Sequence, residues 1–242
     1  MKAIILSAGL GSRLLPLTAD RPKSLVPIAG RTILEHQLAG LAEAGMEEVV
    51  VVGGYRFDRL LEFAETLPEG DRPQLLYNPF YAVSSSIGSV WAARPALSGP
   101  FCLLNGDSLC EPHALATALE GLPEGVSLFV EPLDNAEPDD MLVRVEFGRV
   151  VEVSKQLDPT QATHRSVGIV ACPDANGGPY ANALLEVISG PAGEQRFHHD
   201  IIDLLAHRLA VSAIEFPAHA WQEIDSSNDI ERWLGTKNSA AA

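Results

Sequence analysis

The sequence predicts one α/β domain with a mixed, mostly parallel central sheet flanked by helices. Short apolar runs, typical of strands buried on both faces, alternate with segments of helical period through the first half of the chain. One of these runs, 101–104, leads directly into Asn105-Gly106-Asp107, and in an open parallel sheet ligands bind beyond such strand ends. No repeat or low-complexity linker divides the chain, so we expect one domain over residues 1–237 and a disordered tail at 238–242.

The first half of the chain alternates strands with helices. Leu34, Leu38 and Leu41 share one face of the first helix, and Gly45 is typical of the residue after a helix end. A helix between two strands returns the chain to the same end of the sheet, so this order favours parallel strands. Strands are predicted at 2–7, 48–52, 74–77, 101–104 and 127–130, and helices at 32–44, 58–66, 87–93 and 114–119.

The pattern changes after about residue 132. Two apolar runs flank Gly148 and predict a hairpin, and Ser226 or Ser227 is a typical N-cap for the last helix. The later half is expected to cover one edge of the sheet. Its other elements are predicted as strands at 142–146, 150–153, 165–171, 212–216 and 221–224, and helices at 180–188 and 197–207.

Composition and charge limit the classes of partner. The hydrophobic fraction of 46% is that of a globular protein, and no apolar run approaches the roughly 18 residues of a membrane span. A net charge of −15 argues against binding to nucleic acid or to an anionic membrane. The apolar start is interrupted by glycines and Arg13, which argues against a signal peptide. Three cysteines without metal-ligand spacing predict reduced thiols and a cytoplasmic location.

The stretch LSAGLGSRLLPLTADRPK, residues 6–23, follows the first predicted strand. Residues 1–31 hold five lysines and arginines against one aspartate, so this segment can concentrate a small anion. Gly9 and Gly11 allow backbone N–H groups to approach phosphate oxygens. A dinucleotide fingerprint would need a third glycine in place of Leu14, and a P-loop would need Gly-Lys-Ser/Thr there. The two glycines alone leave a phosphate loop and a plain turn as alternatives.

Three separated motifs resemble nucleotidyltransferases of the sugar-nucleotide pyrophosphorylase type. They occur in the expected order along almost the whole chain. The resemblance implies a Rossmann-like, GT-A-like fold, with a nucleotide-binding part at about 1–131 and an acceptor-binding part at about 132–237. The motifs are Leu6-x-Ala8-Gly9-x-Gly11-Ser12-Arg13 with Arg21-Pro22-Lys23, then Asn105-Gly106-Asp107, then Trp221-x-Glu223-Ile224-Asp225.

The middle of the chain resembles one branch of these enzymes, the phosphocholine and phosphonate cytidylyltransferases. This branch implies a reaction of CTP with a small phosphate or phosphonate that gives a CMP conjugate and pyrophosphate. The acceptor oxygen is already ionised near pH 7, so no general base is required. The matching residues are Tyr77-Asn78-Pro79-Phe80-Tyr81-x-Val83-Ser84-Ser85-Ser86-Ile87, Val153-Ser154-Lys155 and Ser166-Val167-Gly168-Ile169.

The resemblance also implies roles for individual residues. Arg13 and Lys23 would act on the nucleotide phosphates and Lys155 on the acceptor phosphoryl group. Asp107 and Asp225 would share a Mg²⁺, because hard oxygen ligands suit that ion. The nucleotide-binding set implied is Leu6, Ala8, Gly9, Gly11, Ser12, Arg13, Lys23, Ser84, Ser85, Ser86 and Asp107.

The chain departs from amine-handling members of the branch at two places. Those members resemble one another in a tract of the type Tyr-Tyr-Glu-Asp, where this sequence has Arg196-Phe197-His198-His199-Asp200, and here His164-Arg165 precedes Ser166. This basic character predicts an acceptor that is anionic or hydroxylated at its far end, although solvent-directed or packed side chains are an equal alternative. The predicted acceptor-binding set is Lys155, Arg165, Arg196, His198, His199 and Glu223.

Two other functions stay open from the sequence. One is a sugar-1-phosphate uridylyl- or guanylyltransferase on the same fold. The other is a noncatalytic nucleotide-binding regulatory domain, which the intact Arg13, Lys23, Asp107 and Asp225 disfavour. The sequence leaves the acceptor and the oligomeric state open, a homodimer included.

Overall fold

The alternation of side chains along the first strand sets the layers of the fold. The structure, a computed structural model, describes residues 1–46, 48–174 and 178–240, without the side chains of 237–240. In the first strand, Ile4 packs into the core on one face of the sheet, and Ala3 and Ile5 pack into the core on the other. All three side chains are fully buried, so helices must cover both faces.

The described elements follow the predicted alternation, with two early short strands and one later short strand in addition. The strands are β1 (Lys2–Ser7), β2 (Pro27–Ile28), β3 (Arg31–Thr32), β4 (Val49–Gly53), β5 (Gln74–Tyr77), β6 (Phe101–Asn105), β7 (Ser108–Cys110), β8 (Ser127–Pro132), β9 (Leu142–Glu146), β10 (Arg149–Ser154), β11 (His164–Cys172), β12 (Val211–Glu215) and β13 (Trp221–Glu223). The helices are α1 (Ile33–Glu43), α2 (Phe57–Thr66), α3 (Ser86–Ala92), α4 (Pro112–Leu119), α5 (Gly178–Ser189), α6 (His199–Ala206) and α7 (Ser227–Ala240).

One nine-stranded sheet runs through both halves of the chain. Its spatial order is β5–β4–β1–β6–β11–β8–β12–β10–β9. The strands β5, β4, β1 and β6 are parallel, whereas β11 pairs antiparallel with both of its neighbours β6 and β8. The sheet crosses the predicted boundary near residue 131 without a break. The predicted fold class, one α/β domain with a mixed sheet, is confirmed, and its parallel character is concentrated in the first half.

The helices lie on both faces of this sheet. Helices α3, α5 and α6 contribute to the core around Ile4, and α1, α2 and α4 contribute to the core around Ile5. Helix α1 begins with a capping box, in which Thr32 Oγ1 accepts from the Glu35 N–H and Glu35 accepts from the Thr32 N–H at 2.6 Å. Each fully buried aliphatic side chain in these cores stabilises the fold by about 1.5–3 kcal/mol.

A small third core joins the two ends of the described chain. Leu14 from the glycine loop and Trp233 from α7 are both buried in it, together with Ile224. Beside this core, β13 pairs antiparallel with β7, and the Ile224 N–H donates to the Asp107 carbonyl at 3.0 Å. This pairing brings the Asn105-Gly106-Asp107 turn next to the segment that follows β13.

Two segments of the structure differ from the sequence prediction. Strand β7 was not predicted, because three residues carry no periodic signal. The predicted disordered tail is helical as far as Ala240, and residues 241–242 lie outside the described part.

The three cysteines are buried free thiols, as the predicted reduced state requires. None of the described helices has the length and apolar character that crossing a bilayer demands.

Strand β11 bends at Gly168, where its register against β8 shifts between Ser166 and Val170. Gly168 has a φ of 77°, and a Cβ there would lie 2.5 Å from Asn105 Nδ2 and 3.0 Å from Ser108 Oγ. Glycine is therefore required both by the backbone conformation and by the close approach of β6. The bend places Ser166 and Gly168 beside the end of β6.

Replacing Gly168 with alanine should lower the free energy of unfolding by about 2–5 kcal/mol, since left-handed strain and overpacking add. Gly148→Ala is the matched control, because Gly148 has a φ of 73° but open space around its Cα. The control should cost only about 1–2 kcal/mol. Urea unfolding measures the stability of both variants, and equal losses of unfolding free energy would contradict the packing argument.

Candidate active site

A cleft of about 330 Å³ opens where β1 and β6 end. The turn after β6 passes directly against β1, because the Gly106 N–H donates to the Leu6 carbonyl at 2.9 Å. A Cβ on Gly106 would lie 2.5 Å from that carbonyl oxygen, so only glycine permits this approach. The carboxyl ends of the two parallel strands thus present Ala8 and Asp107 to the same cleft.

The glycine loop forms a second, adjoining cavity of about 260 Å³. Gly9, Arg13 and Asp107 line both cavities, and Lys23 lines the second. The Thr18 hydroxyl donates to the Gly11 carbonyl at 2.8 Å and closes the loop, which the buried Leu14 anchors below. Two cationic side chains therefore border a backbone cavity at a strand end, an arrangement suited to a chain of phosphates.

Lys23 lies between two aspartates. Its Nζ donates to Asp107 Oδ2 at 2.8 Å and to Asp225 Oδ1. Burial alone would lower the pKa of Lys23, but the two carboxylates outweigh it and raise the pKa, so the ammonium stays protonated. Arg13 reaches the same cluster, with its Nη2 2.8 Å from Asp225 Oδ2, and also pairs with Asp139.

Three carboxylates can hold a divalent cation here. Oxygen atoms of Asp107, Glu223 and Asp225 lie within 4.8 Å of one another. Asp107 Oδ1 is buried and has no hydrogen-bond partner among the described residues, so one hard ligand atom is left unpaired in the cluster. Burial, and then the charges of the two aspartates, raise the pKa of Glu223. The residues fit a Mg²⁺ site, and Glu223, predicted for the acceptor, belongs to this cluster.

The predicted acceptor side contributes some of its residues to the main cleft. Lys155 and Phe197 both line it, and the Lys155 ammonium lies 5.1 Å from the Phe197 ring centroid and 3.8 Å from Asp139. His198 and His199 also line the cleft and are 1% and 5% exposed. Burial lowers the pKa of both imidazoles, that of His198 to about 4, so both rings are neutral at pH 7.

Arg165 and Arg196 do not join Lys155. The Arg165 Nε donates to Glu131 at 2.6 Å, and Asp140 lies 3.6 Å from its Nη1, so carboxylates compensate its charge, and Arg165 lines a neighbouring cavity rather than the main cleft. Arg196 is exposed and pairs with Asp200 one helical turn later. Both arginines are thus paired with carboxylates and lie outside the lining of the main cleft, and their role toward the acceptor stays a prediction.

Several residues of the site were not among those assigned a role from the sequence. Asn105 and Ser166 line the cleft, and Asp139 joins Arg13 to Lys155 from the loop after β8. Gln37 is buried on α1, and its Nε2 donates to the Asn105 and Ser108 carbonyls at 2.7 and 2.9 Å, so it holds the turn that carries Asp107. Gln37 did leave a signal, since it is a polar residue beside the apolar face of a predicted helix.

A sequence profile of the nucleotidyl transferase family matches residues 2–121, about half of the chain. This region contains the glycine loop, Lys23 and Asp107, the residues that meet at the end of β1 and β6. The chain therefore belongs to the nucleotidyl transferase family, as its motifs predicted.

Individual relatives agree with the cytidylyltransferase branch. The chain is 40% identical over 136 residues to CMP-5'-(3-aminopropyl)phosphonate synthase of Streptomyces rubellomurinus, covering 55% of this chain and 22% of that protein. It is 34% identical over 103 residues to choline-phosphate cytidylyltransferase of Streptococcus pneumoniae, 43% of each. The chain thus matches less than half the length of these curated relatives. A UDP-glucose pyrophosphorylase structure shares the fold, with a TM-score of 0.81 at 17% identity, covering 100% of this chain and 99% of that one.

Replacing Asp107 with asparagine should weaken the binding of Mn²⁺, used as a probe for the carboxylate cluster. Loss of one charged ligand corresponds to roughly 10- to 150-fold in affinity. Asp58→Asn is the control, because Asp58 is an exposed residue of α2 away from the cleft. Mn²⁺ titration followed by electron paramagnetic resonance measures both variants. Unchanged affinity in a folded Asp107→Asn protein would show that Asp107 is not a ligand.

Proposed function

We propose that this chain transfers CMP from CTP to a small phosphate or phosphonate acceptor and releases pyrophosphate. The observation that carries the proposal is the meeting of two charge sets in two adjoining cavities. Arg13, Lys23, Asp107 and Asp225 line the glycine-loop cavity, and Arg13 and Asp107 also line the main cleft, together with Lys155. Such a cleft can align two phosphate groups end to end.

The reaction is a displacement at the α-phosphorus. An ionised acceptor oxygen forms the new P–O bond, the bond to the β-phosphate oxygen breaks, and pyrophosphate carries away the electron pair. Lys23 would leave its aspartates for the reacting phosphate, Arg13 would hold the outgoing phosphates, and Lys155 would hold the acceptor. A Mg²⁺ held by Asp107 and Asp225, with Glu223 nearby, would neutralise phosphate charge and orient the nucleotide.

CTP is proposed as the nucleotide on two grounds. Ala8 and the serine run, Ser84–Ser86, line the cleft and offer small side chains and backbone groups, as a pyrimidine pocket needs. The relatives named above are a CMP-conjugate synthase and a cytidylyltransferase. The fold alone does not choose the base, because UDP-glucose pyrophosphorylase shares it. A sugar-1-phosphate transferase is therefore the second candidate.

The charges of the cleft favour an amine at the far end of the acceptor. Arg13 and Lys155 are assigned to phosphates, and once phosphates take these two cations, their shared partner Asp139 and the ring of Phe197 are left on the wall. A carboxylate and an aromatic ring both attract a cation. The expected anionic acceptor depended on Arg165 and Arg196, which are paired elsewhere, so we replace it with an amine-bearing phosphate or phosphonate.

Pyrophosphate release tests this function directly. The four NTPs are crossed with aminoethylphosphonate, phosphocholine, phosphonoacetate, hydroxymethylphosphonate and glucose-1-phosphate, in the presence of Mg²⁺. CTP with either amine should be preferred over CTP with phosphonoacetate by roughly tenfold or more in kcat/KM, equivalent to about one charged contact. UTP or GTP with the sugar phosphate as the best pair would favour the second candidate. A preference for phosphonoacetate would restore the anionic acceptor.

Lys23 and Arg13 should differ in the kinetic constant they control. Lys23 is largely buried against Asp107, whereas 56% of the Arg13 side chain is exposed at the mouth of the loop. Lys23→Ala should lower kcat by roughly 100-fold, because it removes charge from the transition state. Arg13→Ala should raise KM for CTP by about tenfold with a smaller effect on kcat. Steady-state kinetics at saturating acceptor separates the two, and purely KM effects from both would contradict this division.

A further inference from the structure

The segment before α6 lies along the serine run and is hydrogen-bonded to it. The segment donates through the Gln195 side chain and the His198 backbone N–H. Its Glu194 and Arg196 carbonyls accept from backbone N–H groups of the serine run and of Ile87. This contact joins the acceptor half of the chain to the residues that line the base side of the cleft. The four bonds are Ser85 N to Glu194 O at 2.8 Å, Ile87 N to Arg196 O at 3.3 Å, Gln195 Nε2 to Val83 O at 2.6 Å and His198 N to Ser86 Oγ at 2.9 Å.

His198 extends this contact to the end of β6. Its Nε2 donates to Asn105 Oδ1 at 2.9 Å, while its backbone N–H donates to Ser86 Oγ. Asn105 stands two positions before Asp107, and its carbonyl is held from behind by Gln37. A single buried residue therefore links the serine run to the turn that carries the carboxylate cluster. A neutral imidazole has one N–H, and this bond uses it.

His199 makes a different connection. Its Nε2 lies 2.9 Å from Ser166 Oγ, and Ser166 Oγ also accepts from the Gly168 N–H at 3.0 Å. These contacts fix the bend of β11 on the acceptor side. The two rings stack with centroids 3.9 Å apart, so each supports the other while their hydrogen bonds run to opposite halves of the cleft.

We propose that His198 is a positioning residue for the nucleotide rather than an acceptor contact. It sets the serine run at a fixed distance from the Asp107 turn, so that base and phosphates are bound in register. This inference rests on the proposed function, because it takes the serine run as the base side of a CTP site. His199 holds the acceptor side in the same way through Ser166.

The test compares His198→Phe with His199→Phe. Each change removes one hydrogen bond and keeps an aromatic ring in the stack. His198→Phe should raise KM for CTP by roughly five- to tenfold, move the acceptor KM by less than about threefold, and lower the preference for CTP over UTP. His198→Gln should recover most of the loss, because its amide can donate to Asn105. His199→Phe should instead raise the acceptor KM.

A double-mutant cycle with Asn105→Ala adds an independent measurement. Both partners of one hydrogen bond are removed, so the effects of His198→Phe and Asn105→Ala on CTP affinity should be less than additive. If His198→Phe does not fold, the effect of Asn105→Ala on the KM for CTP serves as the test. Additive effects, or an unchanged KM for CTP and an unchanged CTP-to-UTP preference, would overturn the role of His198.

Direct binding of CTP, measured by calorimetry without acceptor, separates the two proposals. Absence of CTP binding to the unaltered protein would refute the proposed function. Equal CTP affinities in the unaltered protein and in His198→Phe would refute the positioning role alone. A CTP affinity that falls roughly five- to tenfold in His198→Phe and recovers in His198→Gln would support it.

Discussion

Charge compensation between Lys23 and the aspartates at 107 and 225 is the interaction on which the site depends. Three carboxylates within 4.8 Å of one another repel, and without a cation beside them their ionised forms would be destabilised. Lys23 supplies that cation, and Arg13 adds a second from the glycine loop. In the proposed reaction, these same two side chains bind the nucleotide phosphates. The resting site is therefore held together by the groups that its ligands would redistribute.

The topology explains why these charges meet. Parallel strands β1 and β6 end at one edge, which brings the glycine loop and the Asp107 turn together. The pairing of β13 with β7 then adds Glu223 and Asp225, and the core around Leu14 and Trp233 fixes the loop against α7. Backbone hydrogen bonds and packing position the segments that carry these residues, and the charges then act between side chains that the fold has brought together. The free energy of assembling the charged cluster can be unfavourable, because the burial of apolar side chains elsewhere stabilises the fold.

Much of this arrangement could be predicted from the sequence, for definite reasons. Buried strands such as β1 and β4 are apolar runs, and α1 has an apolar face and a glycine just after its end, so these elements were predicted within about two residues. The ion pairs could not be predicted. Arg165 looked free, but Glu131 is its partner on the neighbouring strand, and strand neighbours depend on sheet order. Asp139 likewise reaches Arg13 across 126 positions of sequence, where no local pattern operates.

The late position of β13 has a consequence for synthesis of the chain. Asp107 is made with the first half, whereas Glu223 and Asp225 come only after the central sheet has all its strands. A nascent chain that ends before β13 therefore has the glycine loop and Lys23 without the full carboxylate set. Contacts between such distant segments form late, because long loops must close first. The carboxylate cluster is thus completed only after the scaffold that positions it.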